Sequence, residues 1–128
     1  MKIAYIVHPI AGDQKTNLEL ISHIVRKINL TEPEVVPFVP YYADCVAMND
    51  AIQSERERGI KNNYEILNRM FVNELWVYGN RISAVMKAEI VWAIDNKIPV
   101  EIKDARLLTE SGIKQYKDIL DEYTNYHQ

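Results

Sequence analysis

The 128-residue sequence has a single cysteine, Cys45, so no disulfide can form within the chain. No apolar run approaches the ~18 residues that span a bilayer, and the opening Met1-Lys2-Ile3-Ala4-Tyr5 lacks the pattern of a cleavable signal. Membrane partners are therefore not expected, and the expected location is the cytoplasm. There is no basic excess: 15 Lys and Arg stand against 18 Asp and Glu, a formal net charge of -3. A protein that tracks a phosphate backbone carries a basic stripe, so no nucleic-acid partner is expected either.

Glycine is scarce, and the four present do not assemble into a G-x-G-x-x-G loop or a Walker lysine loop. A G-x-S-x-G elbow is absent. The three histidines, His8, His23 and His127, have no metal-ligand spacing with Cys45 or with one another. Neither a metal nor a cofactor is expected.

What remains is ordinary for a globular chain: 48% hydrophobic and 26% charged residues. That is enough apolar surface to offset the ordering entropy of one domain spanning 1–128. Ile3-Ala-Tyr-Ile-Val7 is a short apolar run that predicts a strand buried on both faces. Leu18, Ile21, Val25 and Ile28 recur at spacings of three and four, which predicts a helix capped by Thr16 or Asn17. Val35 to Val39 predicts a second strand, placed at or near an edge because Pro33, Pro37 and Pro40 limit its ladder.

Pro40 to Asp50 reads as a loop with room for a short helical turn. A longer helix then presents Ile60, Tyr64, Leu67 and Phe71 on one face; Ser54 and Glu57 have capping-box spacing, and the helix starts either there or earlier. Glu74 to Tyr78 predicts a third strand ended by Gly79-Asn80, and Met86, Ile90, Ala93 and Ile94 a further helix. Val100 to Ile102 predicts a fourth strand, and Leu107 to Tyr126 a closing helix. This alternation predicts a small three-layer α/β domain of Rossmann or flavodoxin type, with a parallel sheet of about four strands and helices on both faces.

In such a sheet, ligands bind beyond the carboxyl ends of the strands, near the switch in strand order. The polar residues expected there are His8, Asp13, Asn17, Asp44, Asn80, Arg81 and Ser83. Glu89 stands out, because helical spacing puts this carboxylate among Val85, Met86, Trp92 and Ala93. Desolvation raises the pKa of such a group and a helix N-terminus lowers it, a conflict frequent at active sites. The alternative is that Glu89 tips into solvent or pairs with Lys87 or Arg81.

Arg56 or Arg58, in Glu55-Arg-Glu-Arg-Gly59, can clamp an anion, or the run is a self-paired helix surface. Cys45 is either a nucleophile or a small half-buried thiol. Trp76 reads as core, whereas Trp92 and Tyr41-Tyr42 suit stacking on a base or burial at a subunit contact.

Several stretches resemble nucleoside 2-deoxyribosyltransferase-like proteins. They are Ile3 to Asp13 with Asn17, Asn73-Glu-Leu-Trp-Val-Tyr-Gly79, Ile82-Ser-Ala-Val-Met-Lys-Ala-Glu-Ile-Val-Trp-Ala93, and Lys97-Ile-Pro-Val100. The resemblance covers roughly residues 1 to 104 and is nearest to a short branch found often in phages and mobile elements. It implies that Glu89 is a nucleophile that attacks an anomeric carbon and holds a covalent glycosyl-enzyme until a second base or water arrives. It also implies a nucleoside or nucleotide as small-molecule partner and a homo-oligomer, with Tyr123 and Tyr126 compatible with a site completed by a neighbour's tail. The expected substrate-binding set is His8, Asp13, Asn17, Asp44, Arg56, Gly79, Ser83 and Met86.

The chain departs from the family pattern at three places. Ser83 stands where an aspartate precedes the nucleophile by six residues, Val85 stands for a glycine, and Asn73 for an aspartate. Asp13 and Asp44 are the candidate replacement acids. Three readings follow. The first is a deoxyribosyltransferase or N-glycosidase. The second is a catalytically silent protein that senses or sequesters a nucleotide signal, in a phage or defence setting. The third is an interaction protein that keeps only the fold.

Overall fold

The computed structural model describes residues 1–126, and His127 lies outside the described residues. The elements run β1 (Lys2–Val7), α1 (Gln14–Thr31), β2 (Val35–Phe38), α2 (Tyr42–Ala47), α3 (Gln53–Leu67), β3 (Glu74–Val77), α4 (Ala84–Asp95), β4 (Val100–Ile102) and α5 (Glu110–Tyr126). A 3-10 turn, Ala105–Leu108, precedes α5. The four strands form one parallel sheet in the order β2-β1-β3-β4, as the alternation of strand and helix predicts.

Strand alternation divides the core between two faces. Ala4, Ile6 and Trp76 face α1 and pack with Ile24 and Ile28. Tyr5, Val7, Leu75 and Val77 face the opposite way, onto Leu67 of α3 and Met86, Ile90 and Ala93 of α4. Leu107 and Ile119 extend this second cluster to the C-terminal helix. β2 is an edge strand, which suits Pro37 because a residue without an N–H cannot donate to a ladder. Trp76 is core, with the Lys103 ammonium 4.1 Å from its ring centroid.

Two local expectations are corrected, the cap of α1 and the place of Phe71, and the start of α3, open in the sequence, is earlier than Ser54. The cap of α1 is Asp13, whose carboxylate accepts from the Thr16 N–H at 3.3 Å; Thr16 and Asn17 are already inside the helix. The cap of α3 is Ile52, with no side-chain hydrogen bond, and Ser54 lies in its first turn. Phe71 falls beyond the end of α3 and packs on Phe38 with ring centroids 5.4 Å apart. Among the described residues, no helix is long and apolar enough to cross a membrane.

The chain crosses from β1 to β2 on one side and reaches β3 on the other, so the switch in strand order lies between β1 and β3. Gly79 lets the chain turn there. Its φ is +100°, and a Cβ at this position would stand 2.5 Å from Pro9 Cδ, so only glycine fits without displacing the β1 loop. Its N–H is held by the Asp104 carboxylate at 3.0 Å.

Candidate active site

A cavity of about 320 Å³ opens at the carboxyl end of the sheet, within the ~300–1,000 Å³ range of small-molecule sites. Its walls come from the loop after β1 (His8, Ile10, Ala11), from Tyr41 and α2 (Asp44, Cys45), and from the α2–α3 turn (Met48, Asn49, Asp50). The remaining walls are α3 (Glu55, Arg56, Gly59, Ile60, Asn63, Tyr64) and the start of α4 (Arg81, Ser83, Ala84, Val85, Glu89).

Glu89 lies in the wall. Met86, Glu89, Ile90 and Ala93 form the buried stripe of α4, so the helix that packs on the sheet carries the carboxylate inside with it. Only 5% of Glu89 is exposed, and neither Lys87 nor Arg81 pairs with it. Lys87 binds Glu122, and Arg81 donates to the Ala11 carbonyl at 3.1 Å, tying the β1 and β3 loops together. Glu89 accepts instead from the Tyr5 hydroxyl, and the Asn63 amide donates to that same hydroxyl oxygen at 2.8 Å.

Burial pushes the Glu89 carboxyl up to about 7, while hydrogen bonds from Tyr5 and Asn63 favour the charged form and pull the other way. A carboxyl poised near neutrality can be a carboxylate nucleophile or a proton donor.

The other walls are also built. Tyr41 stands edge-on to Tyr5, with centroids 5.8 Å apart, and its hydroxyl donates to the Ile6 carbonyl at 2.6 Å. His8 is buried, with Nδ1 bonded to the Pro9 carbonyl at 2.7 Å, and its desolvation lowers its pKa. Asp44 accepts from the Asn62 amide at 3.1 Å. The Cys45 thiol is pushed up to about 11, first by burial and then by the carboxylates of Asp50, Asp44 and Glu89. It is thus a half-buried neutral thiol with weak nucleophilic character.

Of the expected residues, His8, Asp44, Arg56, Arg81, Ser83 and Glu89 meet around this cavity. Asp13, Asn17, Gly79 and Met86 support it from behind. Asp13 caps α1, and the Asn17 amide donates to the Ile10 carbonyl at 3.0 Å, bracing the β1 loop. Gly79 makes the turn after β3, and Met86 is buried in the core beneath Ser83. Ser83 is the cap of α4, accepting from the Met86 N–H at 3.3 Å. In the charged run at the start of α3, Glu55 and Arg56 line the cavity, whereas Arg58 donates to Asn62.

Tyr5, Asn63, Tyr64 and Asp50 are site residues that sequence reasoning did not single out. Tyr5 carried a usable signal, since a hydroxyl inside a doubly buried strand must find a partner. Among the described residues, no group of three or more His, Cys, Asp or Glu is arranged to hold a metal ion.

No curated protein and no solved structure matches the chain. Residues 2–103 match the model of a family described as a domain of unknown function, DUF7768, and the chain belongs to that family.

Proposed function

We propose that the chain is an enzyme of the N-glycosidic bond that acts on a nucleoside or nucleotide, as a deoxyribosyltransferase or a hydrolase, with Glu89 as nucleophile. The observation that carries this reading is a buried carboxylate, held by Tyr5, in the wall of a nucleoside-sized cavity at the switch point of a parallel sheet. A Glu89 oxygen forms a bond to the anomeric carbon while the bond from that carbon to the base nitrogen breaks. The electron pair leaves with the base, which takes a proton from the acid at the cavity wall, for which Asp44 is the candidate. A second base or water then gives its proton back to that carboxylate and attacks the same carbon as the bond to Glu89 breaks, as in retaining glycosidases.

Of the two candidate acids, Asp44 lines the cavity, whereas Asp13 caps α1 and is not part of the cavity wall. Assembly as a homo-oligomer belongs to the same proposal. Ile60 and Val85 line the cavity and are each more than a third exposed, an apolar edge that a second copy can cover.

One observation favours a second reading, a protein that binds a nucleotide without turning it over. Ser83 holds the place of an acid, and its hydroxyl oxygen is engaged with the Met86 N–H. Mass spectrometry of small molecules that co-purify with the protein, before and after incubation, separates the two. Free base and free sugar, or a new nucleoside, support the enzyme; an intact nucleotide recovered unaltered supports sequestration.

A further inference from the structure

The direction of the hydrogen bonds around Tyr5 is set by Asn63. A tyrosine hydroxyl has one proton to give and lone pairs to receive. Asn63 projects from the buried face of α3, only 7% exposed, and its amide N–H occupies the Tyr5 oxygen at 2.8 Å. The single proton of Tyr5 is then given to Glu89, the other partner of the hydroxyl.

This arrangement leaves Asn63 Oδ1 enclosed without a hydrogen-bond partner, a costly state for a carbonyl oxygen. Turning the amide over would let Oδ1 take the Tyr5 proton, but Glu89 would then lose its donor. The amide therefore faces the way that serves Glu89, at its own expense.

We propose that Asn63 is a positioning residue, whose amide fixes the Tyr5 proton on Glu89 and so holds the Glu89 carboxylate ionised and aligned at the cavity wall. The role rests on the reading of Glu89 as nucleophile. The ionisable groups that feel the Glu89 charge are Tyr5 from β1, Tyr41 and Cys45 from the β2–α2 region, and Tyr64 from α3. Burial raises all four, Cys45 to about 11 and Tyr64 to about 12, so Glu89 alone among these changes charge near neutral pH.

The test is a double-mutant cycle on the Glu89 titration, followed by carboxyl-carbon NMR in wild type, Asn63→Leu, Tyr5→Phe and the double variant. Leucine keeps the volume and removes the donor, and Asn63→Ala serves if the leucine variant does not fold. The expected result is a rise in the Glu89 midpoint of about one pH unit in Asn63→Leu, and a clearly smaller rise for the same substitution in the Tyr5→Phe background, where only the amide's own hydrogen bond to Glu89 is lost. An unchanged midpoint, or an equal rise without the Tyr5 hydroxyl, overturns the role.

The acid limb of kcat/KM for base release moves by the same amount if the enzyme reading holds. Complete absence of turnover sinks that reading, while the titration still decides whether Asn63 acts through Tyr5.

Discussion

Tyr5, in the middle of the first strand, donates its hydroxyl proton to Glu89 of α4, 84 residues away in sequence. The bond exists because strand alternation aims Tyr5 at the face that α4 covers, and the buried stripe of α4 aims Glu89 back at the sheet. Removing the donor strands a carboxylate in a dry place. Tyr5→Phe is expected to move the acid limb of activity to higher pH. It is also expected to lower stability at pH 8 by roughly 1–3 kcal/mol, read by denaturant unfolding. An unshifted profile in a folded variant contradicts the coupling.

Glu89 itself costs stability. Its pKa is about 7 in the folded protein against an ordinary 4.5, so the folded state holds the proton more tightly than the unfolded chain. The sign follows: between about pH 4.5 and 7 stability falls as pH rises, and above 7 the full cost of the buried charge, on the order of 3 kcal/mol, is present. Glu89→Gln is expected to be more stable than wild type at pH 8 and to lose that advantage by pH 4.5. Melting temperatures of the pair across this range give the difference directly, without interference from carboxylates common to both, such as Asp104, which Arg106 holds down at about 2.

Ser83 offers a gain-of-function test. Aspartate caps a helix as well as serine does, so Ser83→Asp keeps the start of α4 intact while placing an acid six residues before Glu89. General acid catalysis contributes about 10²–10⁴-fold, and a rise in base release of at least tenfold is expected. No change in rate would mean that proton delivery to the leaving base is not what the serine limits.

Gly79 holds the site together at a distance. Gly79→Ala places a methyl against Pro9 and forces a positive φ on a residue with a side chain. A loss of more than about 1 kcal/mol is expected in a chemical melt, together with weaker ligand binding as the loop after β1 shifts. An alanine variant of wild-type stability contradicts the close packing of the two loops.

Cys45 is expected to be a slow thiol. With its pKa near 11, about two units above the ordinary 9.0, the thiolate fraction at pH 8 is about a hundredfold below that of a free cysteine. Alkylation timed by intact mass checks this, and a rate equal to that of a free peptide thiol would exclude the buried acidic setting.

The strands and helices were legible in the sequence because each is written locally. Apolar runs mark β1 and β3, and the stripe Met86, Ile90, Ala93 marks α4 and places Glu89 within it. The edge position of β2 followed from Pro37. The cap of α1 was not legible, because Asp13, Thr16 and Asn17 all have the chemistry of a cap and only the backbone chooses among them. Nor was the pairing of Tyr5 with Asn63, which lie 58 residues apart and meet only once α3 has docked on the sheet. Asp13, Asn17, Gly79 and Met86 sit in the right segments but behind the wall, since sequence position names a loop and not the direction of a side chain.

The most direct measurement of the account is base release from a panel of deoxyribonucleosides, ribonucleosides and their 5′-monophosphates, compared between wild type and Glu89→Gln. Release by the wild type, reduced by about three orders of magnitude or more in the variant, is the expected result for a carboxylate nucleophile. No release by the wild type, or equal release by the variant, would contradict the assignment of Glu89 as the reacting group.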